Sequence, residues 1–456
     1  MDVRFRAAAL RRRLCLTAVA AALAVAASVL PANALYLDED QNFSLRLRAY
    51  SQLSVAMQDS QKYVTSPEKF TGQMMQNRTF ANPELDTKFT SFLPNGWLDD
   101  FSGRLALWGF YDGLYDYGPE QYANRLTQQR FHYNAAGQPY PHGGFITDGY
   151  NPQQALSGRG SRIDVRDEYA RRWRVNEAYV SLAKGPLFFR IGRQAISWGE
   201  SDTIGLLDAN NPFDITITPG VFADLDEQRI PLWTARMTAQ LFNNAGPFSS
   251  GFLDTYIVPG MIDTTISPFP LGSASPYSPP PPNGAANQQE QFLQLPGQKF
   301  GNSRWGVRFQ TVIARNFTTS LWFYKTFNQA PTPVLLGLSQ VGHGIVAQLN
   351  ERLENVAGIA TTFYSEWLNS IIRAEVEVFN NEPAFRYKTN FGTAINSGFQ
   401  QSGTFDKVNI IRGELGVDRN IFLTALNPST SFTWVSAFVF SALPDETQFK
   451  DYRAGG

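Results

Sequence analysis

Residues 43–55 read FSLRLRAYSQLSV, and their pattern has a period of two. Phe43, Leu45, Leu47, Ala49, Leu53 and Val55 alternate with Ser44, Arg46, Arg48, Tyr50, Gln52 and Ser54. Successive side chains of a strand point to opposite faces, so this run lays an apolar row on one side and a polar row on the other. The pattern recurs. Trp233, Ala235, Met237, Ala239 and Leu241 alternate with Leu232, Thr234, Arg236, Thr238 and Gln240. Trp305, Val307 and Phe309 alternate with Arg304, Arg308 and Gln310, and Ile372, Ala374, Val376 and Val378 with Arg373, Glu375 and Glu377. Soluble β-sandwiches alternate too, and composition decides between the two. Charged residues make up 17% of the chain against roughly 25% in soluble domains, while aromatic residues reach 14%. Such a chain hides much of its outer surface from water, which makes the polar row the inner one.

The N-terminus sets the compartment. Arg4, Arg6 and Arg11 to Arg13 precede an apolar stretch from Leu14 to Leu30, followed by Ala32-Asn33-Ala34. This is the layout of a secretory signal spanning 1–34, with the mature chain starting near Leu35. The one cysteine, Cys15, falls inside the signal. Cleavage there removes five Arg and one Asp, leaving 34 basic against 39 acidic residues, a formal charge of −5. That mild acidity argues against nucleic acid as a partner. Beyond Leu30 no apolar stretch approaches the roughly 18 residues that a membrane helix needs. Export, low charge, many aromatics and no spanning helix predict an all-β fold over 35–456: a transmembrane antiparallel β-barrel in the outer membrane of a Gram-negative bacterium, surrounded by outer-membrane lipid.

Thirteen strands are expected, near 43–56, 85–93, 97–112, 172–182, 187–197, 232–242, 252–258, 303–312, 317–327, 356–364, 370–379, 408–418 and 431–440. Their connections alternate in length. Pro94-Asn95-Gly96, Lys184-Gly185-Pro186 and Ala314-Arg315-Asn316 read as tight turns, and the long segments 57–84, 113–171, 198–231, 259–302, 328–355 and 380–407 lie between them. Outer-membrane barrels alternate short periplasmic turns with long external loops in this way. Thirteen is odd where such barrels are even, and the tail SALPDETQFKDYRAGG lacks a closing aromatic strand. The expectation is therefore about 14–18 strands when complete, with one strand overlooked or lying beyond residue 456.

The stretch GRQAISWGESDTIGLLDANNPFD, 192–214, crowds polar groups behind the apolar run Leu187 to Phe189. Strand parity sends Leu187, Phe189 and Ile191 to lipid, and Phe188, Arg190, Gly192 and Gln194 inward. Arg193 falls on the lipid side, where it would snorkel or turn inward. Trp198-Gly199 then redirects the chain, and Asn211-Pro212 fixes its return. The predicted structure is a loop folded into the lumen as a constriction, made from Arg190, Arg193, Gln194, Trp198, Glu200, Ser201, Asp202 and Asp214 and facing Arg304 and Arg308. Ile204, Leu206, Leu207 and Phe213 would give it an apolar lining. Glu200 is expected beside one of these guanidiniums. A structural clamp that merely closes the barrel fits the same residues.

This stretch also resembles the Gly-Arg-Gln, Trp-Gly-Glu-Ser and Asn-Pro-x-Asp segments of a Gram-negative outer-membrane family known as domain of unknown function 1302. Gly192, Arg193, Gln194, Trp198, Gly199, Glu200, Ser201, Asn211, Pro212 and Asp214 carry the match. The resemblance implies a barrel associated with lipid or hydrophobic-compound handling, with an envelope lipoprotein or an exporter as partner, and supplies no active site. The expected function is passage or loading of a hydrophobic or amphipathic, lipid-like small molecule across the outer membrane. A general hydrophilic porin is the alternative, suggested by the rows Arg373/Glu375/Glu377 and Arg412/Glu414. Gly199-Glu200-Ser201-Asp202-Thr203 approaches the nucleophile elbow Gly-x-Ser-x-Gly, but Thr203 replaces its last glycine. A lipid hydrolase would have to bring His132 or His142 to Ser201 across the lumen, so no enzyme activity is expected. His132 and His142 lack a third ligand at useful spacing and His343 has no neighbouring acid or cysteine, so neither metal nor cofactor is expected.

Overall fold

The computed structural model describes residues 35–59, 70–94, 96–119, 170–199, 208–214, 228–267, 289–294, 296–329, 332–338, 345–350, 352–385, 405–422 and 431–443. In chain order the strands are β1 (Leu35–Tyr36), β2 (Phe43–Val55), β3 (Met74–Lys88), β4 (Asp100–Asp112), β5 (Arg171–Lys184), β6 (Leu187–Gln194), β7 (Leu232–Ala245), β8 (Phe248–Val258), β9 (Gln289–Gln294), β10 (Arg304–Ile313), β11 (Phe317–Phe327), β12 (Thr332–Leu338), β13 (Ile345–Asn350), β14 (Leu353–Ser365), β15 (Ser370–Phe385), β16 (Phe405–Ile421) and β17 (Phe432–Ala442). A one-turn helix, α1 (Leu114–Tyr117), follows β4.

Fourteen of these strands form one up-and-down sheet in sequence order, skipping β9, β12 and β13. Every neighbouring pair in it is antiparallel. Among the described residues its two edges, at β1–β2 and at β17, are not paired with each other. The connections alternate as expected, with the links β3–β4, β5–β6, β7–β8, β10–β11 and β14–β15 short and those between them long. Positive φ at Gly96, Gly185, Gly246, Asn369 and the pair Ala314-Arg315 reverses the chain at the short end. Inside the long connections β12 and β13 form a hairpin, and β9 joins β13 in parallel, a second small sheet that strand periodicity did not indicate.

Two expectations about strands are corrected. The strand expected at 85–93 is β3, which starts eleven residues earlier at Met74, while Thr90–Phe92 form a 3-10 turn. Its inner row, Gln76, Arg78 and Asn82 around Phe80, is buried. Its outer row, Asn77, Thr79, Ala81 and Pro83, is too polar to read as lipid-facing. The overlooked fourteenth strand is β1, whose Leu35 and Tyr36 pair with Leu45 and Ser44; two residues are too few to show a period. The signal expected at 1–34 lies outside the described residues.

The two faces of the sheet differ as alternation requires. Leu47, Leu105, Ile191, Leu321, Val376 and Leu415 are exposed on the outside, while Arg373, Glu375, Glu377 and Glu414 are buried on the inside. Exposed aromatics gather at both ends of the outer face, with Trp173, Trp233 and Trp305 towards the long connections and Trp97 and Trp367 at short turns. Tryptophan prefers the two membrane interfaces, where its ring lies in apolar surroundings and its N–H in water.

Candidate functional site

Strand β6 ends in a backbone device. Gly192 has φ +134°, and a Cβ there would overlap the carbonyl of Ala178, so only glycine fits. Beyond it Arg193 and Gln194 are both buried, although parity assigns them to opposite faces. Arg193 does not snorkel: its Nε donates to the Val175 carbonyl at 2.9 Å, keeping it on the neighbouring strand. Gln194 Nε2 donates to the carbonyls of Arg190 and Thr234, both at 3.2 Å.

The chain then enters the lumen. Ile196, Trp198, Asp208, Ala209, Asn210, Asn211, Phe213 and Asp214 are all buried, which a segment lying on an outer rim would not be. Five strands approach it, the neighbours β8, β10 and β11 and the more distant β5 and β15. Trp198 Nε1 donates to Asp254 of β8 at 2.9 Å, its ring meets Tyr256 and Tyr324 edge-on at 5.1 and 6.2 Å, and the Arg308 guanidinium lies 5.6 Å from its centroid. Gly306 of β10 makes room for it, because a Cβ there would come within 2.8 Å of the Trp198 ring. The Ala209 N–H donates to Tyr324 Oη of β11 at 3.3 Å, and the Ala209 carbonyl accepts from Thr326 Oγ1 at 3.0 Å. Gly199 approaches Glu375 of β15, whose carboxylate would stand 3.2 Å from a Cβ at that position. Asp214 pairs with Arg172 of β5 and lies 3.6 Å from Arg174.

The segment is also tied to itself. Asp208 accepts from the Trp198 N–H at 3.2 Å and from Asn210 Nδ2 at 2.8 Å, and it pairs with Arg229 at 3.3 Å. Asn211 Oδ1 accepts from the Ile196 N–H at 2.8 Å, while its Nδ2 donates to the Ile230 carbonyl at 2.9 Å. A buried polar group costs free energy unless it is hydrogen-bonded, so this degree of pairing lets a polar segment stay inside. Around it Ile196, Trp198, Ala209, Leu232, Tyr256, Val258, Trp322, Tyr324, Val356, Ala360 and Phe379 form a continuous apolar cluster.

The structure thus brings together Gln194, Trp198, Asp214 and Arg308, while Arg193 stays on the wall. Arg304 is buried but belongs to another contact, donating to the carbonyls of Thr265 at 2.8 Å and Asp263 at 3.2 Å. Arg190 sits nearer the short-turn end, donating from Nε to Ser181 Oγ at 3.1 Å with its guanidinium 4.2 Å from the Tyr179 ring centroid. Glu200, Ser201, Asp202, Ile204, Leu206, Leu207, His132 and His142 lie outside the described residues. Sequence reading missed Asp208, Asn210, Asp254 and Arg172. Asp254 carried a usable signal, an acid on the inward parity of an otherwise apolar strand.

The family described as "Protein of unknown function (DUF1302)" matches residues 15–450. The chain belongs to that family. No curated protein matches it in sequence. Among solved structures, the outer membrane channel DcaP of Acinetobacter baumannii aligns at 10% identity over 87% of this DUF1302 chain and 79% of its own, with a TM-score of 0.33. Salmonella typhi OmpF, in complex with daunomycin, aligns at 7% identity over 89% and 87%, with a TM-score of 0.36. The ferric-catecholate import receptor Fiu from E. coli K12 aligns at 10% over 90% and 55%, with a TM-score of 0.29.

Proposed function

We propose that this DUF1302 protein is an outer-membrane channel for small hydrophobic or amphipathic molecules, narrowed by its own residues 195–199 and 208–214. The observation that carries the reading is the burial of Ile196, Trp198 and residues 208–214 against the inner face of the sheet, with the Asp214 carboxylate held by β5, the Trp198 indole by β8 and the Ala209 N–H by β11. An apolar outer face with aromatics at both ends suits a lipid bilayer. A general hydrophilic porin would need its inner polar rows in water. Here Glu375, Glu377, Arg373 and Glu414 are buried, and Glu377 Oε1 is engaged by Trp322 Nε1 at 2.7 Å. Constriction with an apolar surround favours a selective path over an open aqueous one.

Two measurements test the reading. The protein should fractionate with outer membranes and change its gel mobility on boiling, as a folded membrane barrel does. In planar bilayers the wild type should show low conductance and Trp198→Ala a several-fold higher one, because that substitution removes the ring joining Asp254, Tyr256 and Tyr324. Recovery in the soluble periplasm, or equal conductance in both forms, would overturn it.

A further inference from the structure

The inner face of β6–β10 carries more positive charge than its own carboxylates balance. Arg190 stands directly opposite Arg236 in the β6–β7 register. Like charges facing across a strand pair destabilise it unless something negative joins them. Asp254 serves Arg236, accepting from its Nε at 2.9 Å and Nη2 at 2.6 Å, and it also accepts from Arg308 at 3.4 Å and Trp198 at 2.9 Å. Its acceptor positions are taken. Among the described residues Arg190 has no carboxylate within ion-pair distance; its contacts are the Ser181 hydroxyl and the rings of Tyr179 and Phe188, with centroids at 4.2 and 5.3 Å.

Arg190 borders a cavity in the short-turn half of the lumen, together with Ser44, Ser102, Tyr179, Ser181 and Arg104. Arg104 is already neutralised, with Glu177 at 2.6 Å, Asp86 at 2.8 Å and Glu84 at 2.9 Å. Asp86 lines the same cavity, and both of its oxygens accept from Arg104. Among the described residues the cavity therefore holds one uncommitted guanidinium among hydroxyls, with the Lys88 ammonium on its rim as a second cation. Flanking rings leave a guanidinium its planar N–H edge, which matches the two oxygens of a carboxylate.

We infer that this cavity binds the carboxylate of an organic monoanion, with Arg190 as its anchor. The inference rests on the channel reading only for its biological meaning: it gives the path a binding station on the short-turn side of segment 195–214.

The test is calorimetric titration of the full chain, folded in detergent, with benzoate, benzyl alcohol, benzylamine and inorganic phosphate as probes. Benzoate should bind saturably, and the alcohol and the amine should not. Arg190→Gln should weaken benzoate binding at least tenfold. Arg190→Lys, which keeps the charge and loses the fork, should weaken it severalfold and keeps the test open should the glutamine variant fail to fold. Arg412→Gln, on β16, should leave binding unchanged. Absence of saturable benzoate binding, undiminished binding in folded Arg190→Gln, or tighter binding of phosphate would each overturn the inference. Binding without conductance would count against the channel reading alone.

Discussion

The two halves of the lumen use the same residue types for different ends. Near the long connections, Asp214 with Arg172 and Arg174, and Asp254 with Arg236 and Trp198, are packed under segment 195–214, and the Asp214 side chain keeps 2% of its exposure. Near the short turns, Arg104 gathers Glu84, Asp86 and Glu177, and Arg46 also reaches Glu84, but the Arg46 and Asp86 side chains remain 45% and 39% exposed. Pairs of the first kind were desolvated when the segment folded in, so losing one partner strands a buried charge. Pairs of the second kind are only partly buried, with the Arg104 and Glu177 side chains 20% and 24% exposed, and Arg104 has three acids to share. The contrast makes one half a dry, fixed packing and the other a partly hydrated one, the division that the proposed constriction and a vestibule beside it require.

Removing one partner in each half is the strongest way to break this comparison. Asp214→Ala leaves Arg172 and Arg174 without their shared carboxylate and should cost about 3–5 kcal/mol locally. The expected result is rapid hydrogen exchange over 208–214, with the sheet intact and conductance raised. Glu177→Gln also removes one carboxylate, yet Arg104 keeps Glu84 and Asp86 and the pair is partly exposed, so the expected cost is about 1 kcal/mol. Equal effects in the two variants would erase the distinction between the halves.

The junction of the two regimes is Gly192. Gly192→Ala forces a side chain against the Ala178 carbonyl at a φ that residues with a Cβ avoid, at a cost of roughly 1–3 kcal/mol. The expected outcome is a local shift of the β5–β6 pairing and faster exchange of the amides in 195–199 and 208–214, read by hydrogen exchange. The β3–β4 amides in the vestibule should keep their protection.

Much of this was legible in the sequence, for reasons that particular residues make plain. Strands β2, β7, β10 and β15 announced themselves because one face meets an apolar medium, leaving a row such as Leu45, Leu47 and Ala49 in period two. The first half of β3 did not, because Asn77, Thr79 and Pro83 occupy its outer row and α1 follows close by, with the Gly113 N–H donating to the Asn77 carbonyl. At the site, Trp198, Gln194 and Asp214 stood out as polar or indole groups behind an apolar run. Their partners did not, since Arg172, Asp254 and Tyr324 are 42, 56 and 126 positions away from Asp214, Trp198 and Trp198. Sequence spacing reveals strand parity, whereas contacts across the lumen depend on how the sheet curls.

Turn chemistry at the short end offers a smaller test. Ala314 and Arg315 both have positive φ, 48° and 63°, in the three-residue turn Ala314 to Asn316 between β10 and β11. That geometry is the one for which Asn-Gly is preferred, because a Cβ is strained there. Arg315→Gly relieves about 1–2 kcal/mol of left-handed strain against about 0.4–1 kcal/mol of added unfolded-chain entropy, so it should slightly stabilise the protein, raising its unfolding midpoint in denaturant while leaving conductance unchanged. A change in conductance would show that the short turns are not independent of the constriction.

The smallest expected effect belongs to Asp99, at the short-turn end outside the spanning strands. Its carboxylate accepts from the Gly185 N–H at 2.6 Å and lies 3.4 Å from Lys184 Nζ, joining the β5–β6 turn to the start of β4. The Gly185 hydrogen bond, with Lys184 assisting against a small desolvation, holds its pKa below the ordinary 3.8. A depressed folded-state value means that the contact stabilises the folded protein above pH 3.8 and that this contribution fades as pH falls through the lowered value. Titrating the Asp99 carboxyl by NMR should give a midpoint below 3.8, with the Gly185 amide resonance shifting at the same midpoint. Asp99→Asn should abolish that shift and leave conductance near neutral pH untouched. If conductance instead followed the Asp99 titration, the proposed constriction would be coupled to the short turns, and the two halves of the lumen would have to be treated as one unit.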